Sequence, residues 1–184
     1  SDWSEYVGIN NERDYITAYP LDESPYYVVA MTWYADGMRR PGCVWTHSLL
    51  IHKDDLIKIT DFCNLLYLFE VPLTENFESY LTPRAFVEDA KEAATHLSDI
   101  GENRAAEVYE SLLSTTPSFI LSEFTSQQSQ ELLLTLLNYL PTEIMKNKSI
   151  CSGTASPRAY DGKYLSLQFV THDGNAVKYL SNRT

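Results

Sequence analysis

The run Pro25-Tyr-Tyr-Val-Val-Ala-Met-Thr-Trp-Tyr-Ala35, the segment Asp36-Gly-Met-Arg-Arg-Pro-Gly42 and the run Cys43-Val-Trp-Thr-His-Ser-Leu-Leu-Ile51 decide how this chain folds. Two runs rich in β-branched and aromatic residues flank a turn segment carrying Gly37, Pro41 and Gly42, the pattern of a β-hairpin with a longer loop. With the turn centred near Arg39, Trp33 lies opposite Trp45, Met31 opposite His47 and Val29 opposite Leu49. Side chains alternate across a strand. One face then carries Tyr27, Val29, Met31, Trp33, Trp45, His47, Leu49 and Ile51, apolar enough to seed a core. The other carries Val28, Ala30, Thr32, Tyr34, Val44, Thr46, Ser48 and Leu50.

Working outward, Tyr15, Thr17 and Tyr19 alternate with Ile16 and Ala18, which predicts a strand that Pro20 ends. Residues 1–13 are polar and weakly patterned, and they read as a tail or the remnant of something longer. The start lacks a Met, the mark of a processed or cut chain. After the hairpin the apolar period changes to about 3.6. Leu56, Ile59, Phe62, Leu66 and Phe69 form a helical stripe that Pro72 closes, with Asp54 and Asp55 in its first turn. Further helices are expected from Thr82-Pro83 to Gly101, over about 103–114, and from Thr125-Ser-Gln-Gln128, a capping box, to Pro141. Pro117 to Leu121, Ser149 to Thr154, Tyr164 to Val170 and Ala176 to Leu180 read as strands, with Leu165, Leu167 and Phe169 sharing a face. The expected fold is therefore α+β: one domain over 14–184, with a central β-hairpin or mixed sheet packed against about four helices.

Composition narrows function. The chain has 14 basic and 25 acidic residues, a net charge of −11. Such a surface repels phosphate backbones and anionic lipids, so neither nucleic acid nor membrane is the expected partner. No apolar run approaches the roughly 20 residues of a membrane-spanning helix, and Ser1 to Glu5 has no signal-peptide character. Cys43, Cys63 and Cys151 sit among apolar residues without regular spacing, which points to reduced thiols and a cytoplasmic protein.

Few residues have the spacing of a reactive site. His47 stands between Trp45 and Leu49 on the apolar face, either as a general base or as a packed histidine bonded to a backbone group. It is a weak catalytic candidate, because Ser48 points to the opposite face and no second His, Cys or carboxylate completes a triad. Trp33, Trp45 and His47 are expected to be structural. His47 and His52 are five apart and face opposite sides of a straight strand, so no metal site is expected. Gly is scarce and no Gly-rich loop precedes a helix, which excludes a phosphate-binding loop and a dinucleotide fingerprint; no cofactor is expected. Arg39 and Arg40, beside Pro41, are loop arginines on a rigid scaffold, suited to a partner's carboxylate or phosphate. Arg158 is a similar loop arginine. The plainer reading of each is a carbonyl cap or a surface ion pair.

The segment from Thr32 to Ile51 resembles the N-terminal domain of bacterial GTPase-associated proteins, found in large NTP-dependent biological conflict (defence) systems. The matching residues are Trp33, Arg40, Pro41, Gly42, Cys43, Val44, Trp45, Thr46, His47, Leu49, Leu50 and Ile51. Tyr19-Pro20-Leu21, Leu140-Pro141, Ser149 to Thr154, Arg158 and Leu167 to Val170 fit more loosely. The chain departs from the pattern in lacking an opening segment with His-Gln and Gly-His elements, and in having Ile150 where an aromatic is usual. The resemblance implies a system and a class of partner, a GTPase, rather than a reaction. The leading expectation is a non-catalytic regulatory and protein-interaction domain contacting its partner through Arg39, Arg40, Pro41 and Arg158. The alternatives are an enzyme with a pocket near His47 acting on a nucleotide or phosphorylated substrate, and a GTPase activator donating Arg39 or Arg40.

Overall fold

The hairpin of the opening stretch is the longest strand pairing among the described residues. The computed structural model describes residues 14–35, 43–71, 102–122, 124–154, 157–160 and 162–171. Strand β2 (Tyr26–Tyr34) pairs antiparallel with β3 (Val44–His52), with Trp33 opposite Trp45, Met31 opposite His47 and Val29 opposite Leu49. β1 (Tyr15–Pro20) pairs antiparallel with β2, placing Ile16 opposite Met31 and Ala18 opposite Val29. Between β1 and β2, Glu23 takes a positive φ of 52°, and the Leu21 N–H donates to the Tyr26 carbonyl at 3.0 Å.

The rest of the sheet comes from the far end of the chain. β4 is Ser118–Ser122, β5 is Ile150–Thr154 and β8 is Leu167–Thr171. The sheet order is β3-β2-β1-β5-β8-β4. β8 is parallel to both β4 and β5, whereas β5 is antiparallel to β1. The short β6 (Ala159–Tyr160) and β7 (Lys163–Tyr164) form a separate two-stranded ribbon, whose turn uses Gly162 at φ 73°.

Among the described residues helices are fewer and shorter than the helical stripes predict, and this corrects the expected α+β packing of a hairpin or mixed sheet against about four helices: the six-stranded sheet dominates. Among these residues, α1 (Glu102–Leu113) and α2 (Ser126–Asn138) are the longer helices, and α3 (Thr142–Met145) is a single turn. Residues 53–68 form two 3₁₀ segments, Lys53–Lys58 and Phe62–Leu68, in place of one α-helix. The physical reason lies at the break. Ile57, Ile59 and Thr60 are β-branched and weaken a helix. Ile59 and Asp61 are extended, and the Asp61 carboxylate accepts from the Cys63 N–H at 2.9 Å, starting a new segment. Asn138 at the end of α2 then fixes the break from outside: its Oδ1 accepts from the Phe62 N–H, and its Nδ2 donates to Asp61, each at 2.8 Å. The helix expected at 82–101, the strand expected at 176–180 and residues 1–13 lie outside the described residues.

The capping box at Thr125 and Gln128 forms as its sequence predicts, and α2 lays Leu132, Leu133, Leu136 and Leu137 against the sheet. The core on this first face joins them to Ile16, Ala18, Tyr27, Val29, Met31, Ile150, Leu167 and Phe169. Leu56, Phe62 and Leu65 of the 3₁₀ segments enter the same core, as do Val108 and Leu112 of α1. Burial pushes the Tyr27 hydroxyl pKa up, and that hydroxyl donates to the Lys148 carbonyl at 3.0 Å. The Lys148 ammonium donates to the Ser114 carbonyl just beyond α1 at 2.6 Å, tying the helix end to the sheet. The opposite, second face holds a smaller apolar group of Tyr15, Cys151 and Leu165. Leu165 therefore does not share a face with Leu167 and Phe169. Ser149 and Ser166 bond each other through side chain and backbone, which bends the chain between Leu165 and β8.

Candidate functional site

The predicted site residues fall in three places. Arg39, Arg40 and Pro41 lie outside the described residues, but the base of their loop is defined. Trp33 faces Trp45, Tyr34 faces Val44, and the Ala35 N–H donates to the Cys43 carbonyl at 3.0 Å. Seven residues, 36–42, thus leave from the end of a hairpin paired without a break in register from Tyr26 to Tyr34.

His47 lies on the first face and is only 7% exposed. Its Nδ1 accepts from the Glu70 backbone N–H at 3.1 Å, so in the neutral ring the proton sits on Nε2. The imidazole meets Phe69 edge-on, with ring centres 5.7 Å apart, and Phe69 meets Trp33 the same way at 6.4 Å. The extended backbone at Phe69 ends the second 3₁₀ segment there, which delivers Glu70 to the strand. His52 has a local role: its Nδ1 accepts from the Asp54 N–H at 3.3 Å and caps the first 3₁₀ segment. Among the described residues no group of three or more His, Cys, Asp or Glu is placed to hold a metal ion. The Cys63 thiol bonds Thr135 and the Glu131 carbonyl, and burial pushes its pKa up to about 11. A thiol so protonated is a poor nucleophile.

Arg158 lies on the second face, so the sheet separates it from His47. Its guanidinium stacks over the Tyr15 ring, 4.2 Å from the ring centre, and Nη2 donates to the Tyr15 hydroxyl at 2.6 Å. Its backbone is held as firmly. The Arg158 N–H donates to Gln168 Oε1 at 2.7 Å, and Gln168 Nε2 donates to the Arg158 carbonyl at 2.9 Å. Gln168 is fully buried, and these two bonds satisfy both ends of its amide. Burial raises the pKa of the Tyr15 hydroxyl, while the Arg158 charge and hydrogen bonds from Thr32 and Arg158 pull it the other way. Thr32 continues the chain to Thr46, the two hydroxyls standing 3.0 Å apart.

Sequence reasoning marked Arg158 but missed the residues that hold it. Alternation put Tyr15 on a face without showing that its partner lies 143 positions away. Gln168 reads as one polar residue of a strand, and nothing in its neighbourhood signals a buried amide.

Residues 1–69 match the family model described as GTPase-associated protein 1, N-terminal domain type 1. The resemblance carried by Trp33, Arg40 to His47 and Leu49 to Ile51 is thereby shown for that stretch, which takes in β1, the whole hairpin and both 3₁₀ segments. No curated protein and no solved structure matches the chain. No helix among the described residues is long and apolar enough to cross a membrane.

Proposed function

We propose that this chain is a non-catalytic regulatory and protein-interaction domain that works with a GTPase, as part of a bacterial conflict (defence) system in the cytoplasm. The observation that carries the reading is the match of residues 1–69 to the GTPase-associated family, with the Arg39-Arg40-Pro41 loop in the middle of the matched stretch. The geometry around the loop supports it. A loop arginine is useful to a partner when its scaffold is rigid, and here the scaffold is a nine-residue antiparallel pairing closed by the Ala35–Cys43 bond. In an acidic chain a pair of adjacent arginines is a local reversal of charge, which favours an acidic or phosphate-bearing patch on the partner. His47, buried against Phe69 with a backbone donor on Nδ1, supports a packing role beside Trp33 and Trp45 rather than a chemical one. Arg158 enters as a second, more restrained contact on the other face.

The test is titration calorimetry between the full-length protein and a GTPase recovered with it from its native cells. Arg40→Ala is expected to weaken binding at least tenfold, on the order of the 1.4 kcal/mol that one charge-assisted contact supplies, with an unchanged melting temperature. Unchanged binding would remove the loop from the interface. The same variant assayed for GTP hydrolysis separates contact from activation: an arginine supplied in trans speeds hydrolysis by orders of magnitude, whereas a contact residue leaves turnover of the bound GTPase as it was.

A further inference from the structure

Strands β5 and β8 are direct parallel neighbours, with Ile150 opposite Leu167 and Cys151 opposite Gln168. Among the described residues the chain between them carries no helix. It carries the β6–β7 ribbon, which contributes no strand to the six-stranded sheet. Parallel neighbours are usually joined by a helix that becomes part of the core; here the crossover is a strap over the second face. Its internal bonds are its own: Ala159 pairs with Tyr164, Tyr160 with Lys163, and the Leu165 N–H reaches the Arg158 carbonyl at 3.3 Å. Ser166, bonded to Ser149 and Ser118, anchors its end to the sheet. Before that, its contacts with the sheet include the Gln168 amide, the Tyr15 ring and hydroxyl, the Leu165 side chain, and Tyr164 edge-on to Phe119 at 5.4 Å. Gln168 and Tyr15 both act on one strap residue, Arg158. Under the strap, beside Tyr15 and Leu165, lies Cys151, fully buried.

We propose that the strap of residues 157–160 and 162–165 is a flap that opens as one unit while the sheet stays intact, with Arg158 as its pin and Gln168 and Tyr15 as the residues that latch it. Ser166, bonded to Ser149 and through its carbonyl to the Ser118 N–H of β4, stays with the sheet, and lifting the strap up to Leu165 breaks no pairing of the six strands. A two-stranded ribbon is marginal once its outside contacts go, and sub-global openings follow such self-contained motifs. Opening uncovers Cys151 and frees the Arg158 guanidinium from the Tyr15 ring, so the flap would govern when that arginine can meet an acidic partner. The opening itself does not depend on whether Arg158 ever meets one.

The two buried thiols report on the two faces. In the full-length protein carrying Cys43→Ser, labelling of Cys151 and Cys63 by a maleimide is followed by mass spectrometry across low urea concentrations, each rate scaled to that site's rate in the unfolded chain. The flap predicts that Cys151 reacts faster than Cys63 and with a shallower dependence on urea. Gln168→Ala removes both backbone bonds of the latch and is expected to raise the Cys151 rate roughly tenfold or more, leaving Cys63 unchanged. Tyr15→Phe keeps the ring and loses the hydroxyl, and should raise the Cys151 rate less. Equal scaled rates with equal urea slopes in the unsubstituted latch would overturn the proposal, because Cys151 would then be reached only by global unfolding. Should Gln168→Ala disturb the whole fold, both thiols accelerate together; amide exchange in the unsubstituted protein then decides. Leu165 and Arg158 amides exchanging faster than those of Ile16 and Val29 support the flap, and equal protection refutes it.

Discussion

The two faces of the sheet are built from the same strands and held in different ways. The first face meets helix α2, both 3₁₀ segments and α1 through leucines, isoleucines and phenylalanines. The second is held by directed bonds, Arg158 to Tyr15, Gln168 to Arg158 and Thr32 to Thr46, around the small apolar group of Tyr15, Cys151 and Leu165. Apolar burial is non-directional and scales with area. Hydrogen bonds contribute little net but are specific in geometry. The first face therefore supplies most of the stability, and the second supplies orientation.

The sharpest way to break this contrast is to truncate one residue on each face. Phe169→Ala removes a fully buried ring from the first face, and a loss of about 3–5 kcal/mol in unfolding free energy is expected. Leu165→Ala on the second face should cost about 2 kcal/mol, at the low end for a leucine truncation, because the strap can settle onto the gap. Urea denaturation measures both; equal losses would mean that the faces are equally structural. A smaller effect is expected at the break between the 3₁₀ segments. Asn138→Ala leaves the Phe62 N–H without its acceptor and should cost about 1 kcal/mol. If stability is unchanged, residues 53–68 hold their shape without help from α2.

The smallest effect is electrostatic. The Asp14 carboxyl lies at the mouth of β1, where the Asp14 backbone carbonyl accepts from buried Gln130, and burial raises its pKa above the ordinary 3.8. A carboxyl with a raised folded-state pKa contributes stability that is fully present below its ordinary value and lost as pH rises through the raised one. Asp14→Asn is therefore expected to be more stable than the unsubstituted protein at neutral pH, with the difference closing as the pH falls below about 4. Parallel stability curves across that range would contradict the assignment of the shift to burial.

The sequence makes the local pairings legible and hides the distant ones. The hairpin register could be read because the alternation of Val29, Met31 and Trp33 against Trp45, His47 and Leu49 leaves one apolar face, and a slip of one residue would bury Thr46 and Ser48. The cap at Thr125 is likewise a four-residue signal. The stripe from Leu56 to Phe69 misled because a 3₁₀ pair and an α-helix share apolar spacing; the deciding bonds come from Asn138, far along the chain. Leu165 misled because alternation says nothing about a bend, here made by Ser149 and Ser166. At the site, His47 was visible as a residue, but its Glu70 donor was not. Arg158 was visible, but the Tyr15 and Gln168 that fix it were not, since a pairing across 143 positions leaves no periodic trace.

The reading of the chain as the partner-binding domain of a GTPase-associated protein stands or falls on what it holds in the cell. The direct measurement is affinity purification of the intact, full-length protein from its native cells, beside an Arg39→Ala/Arg40→Ala variant, with bound proteins identified and quantified by mass spectrometry. The account predicts a GTPase recovered with the unsubstituted protein and depleted at least tenfold with the variant, at equal amounts of folded bait. Recovery without any GTPase, or the same GTPase in equal amount on both baits, would contradict it.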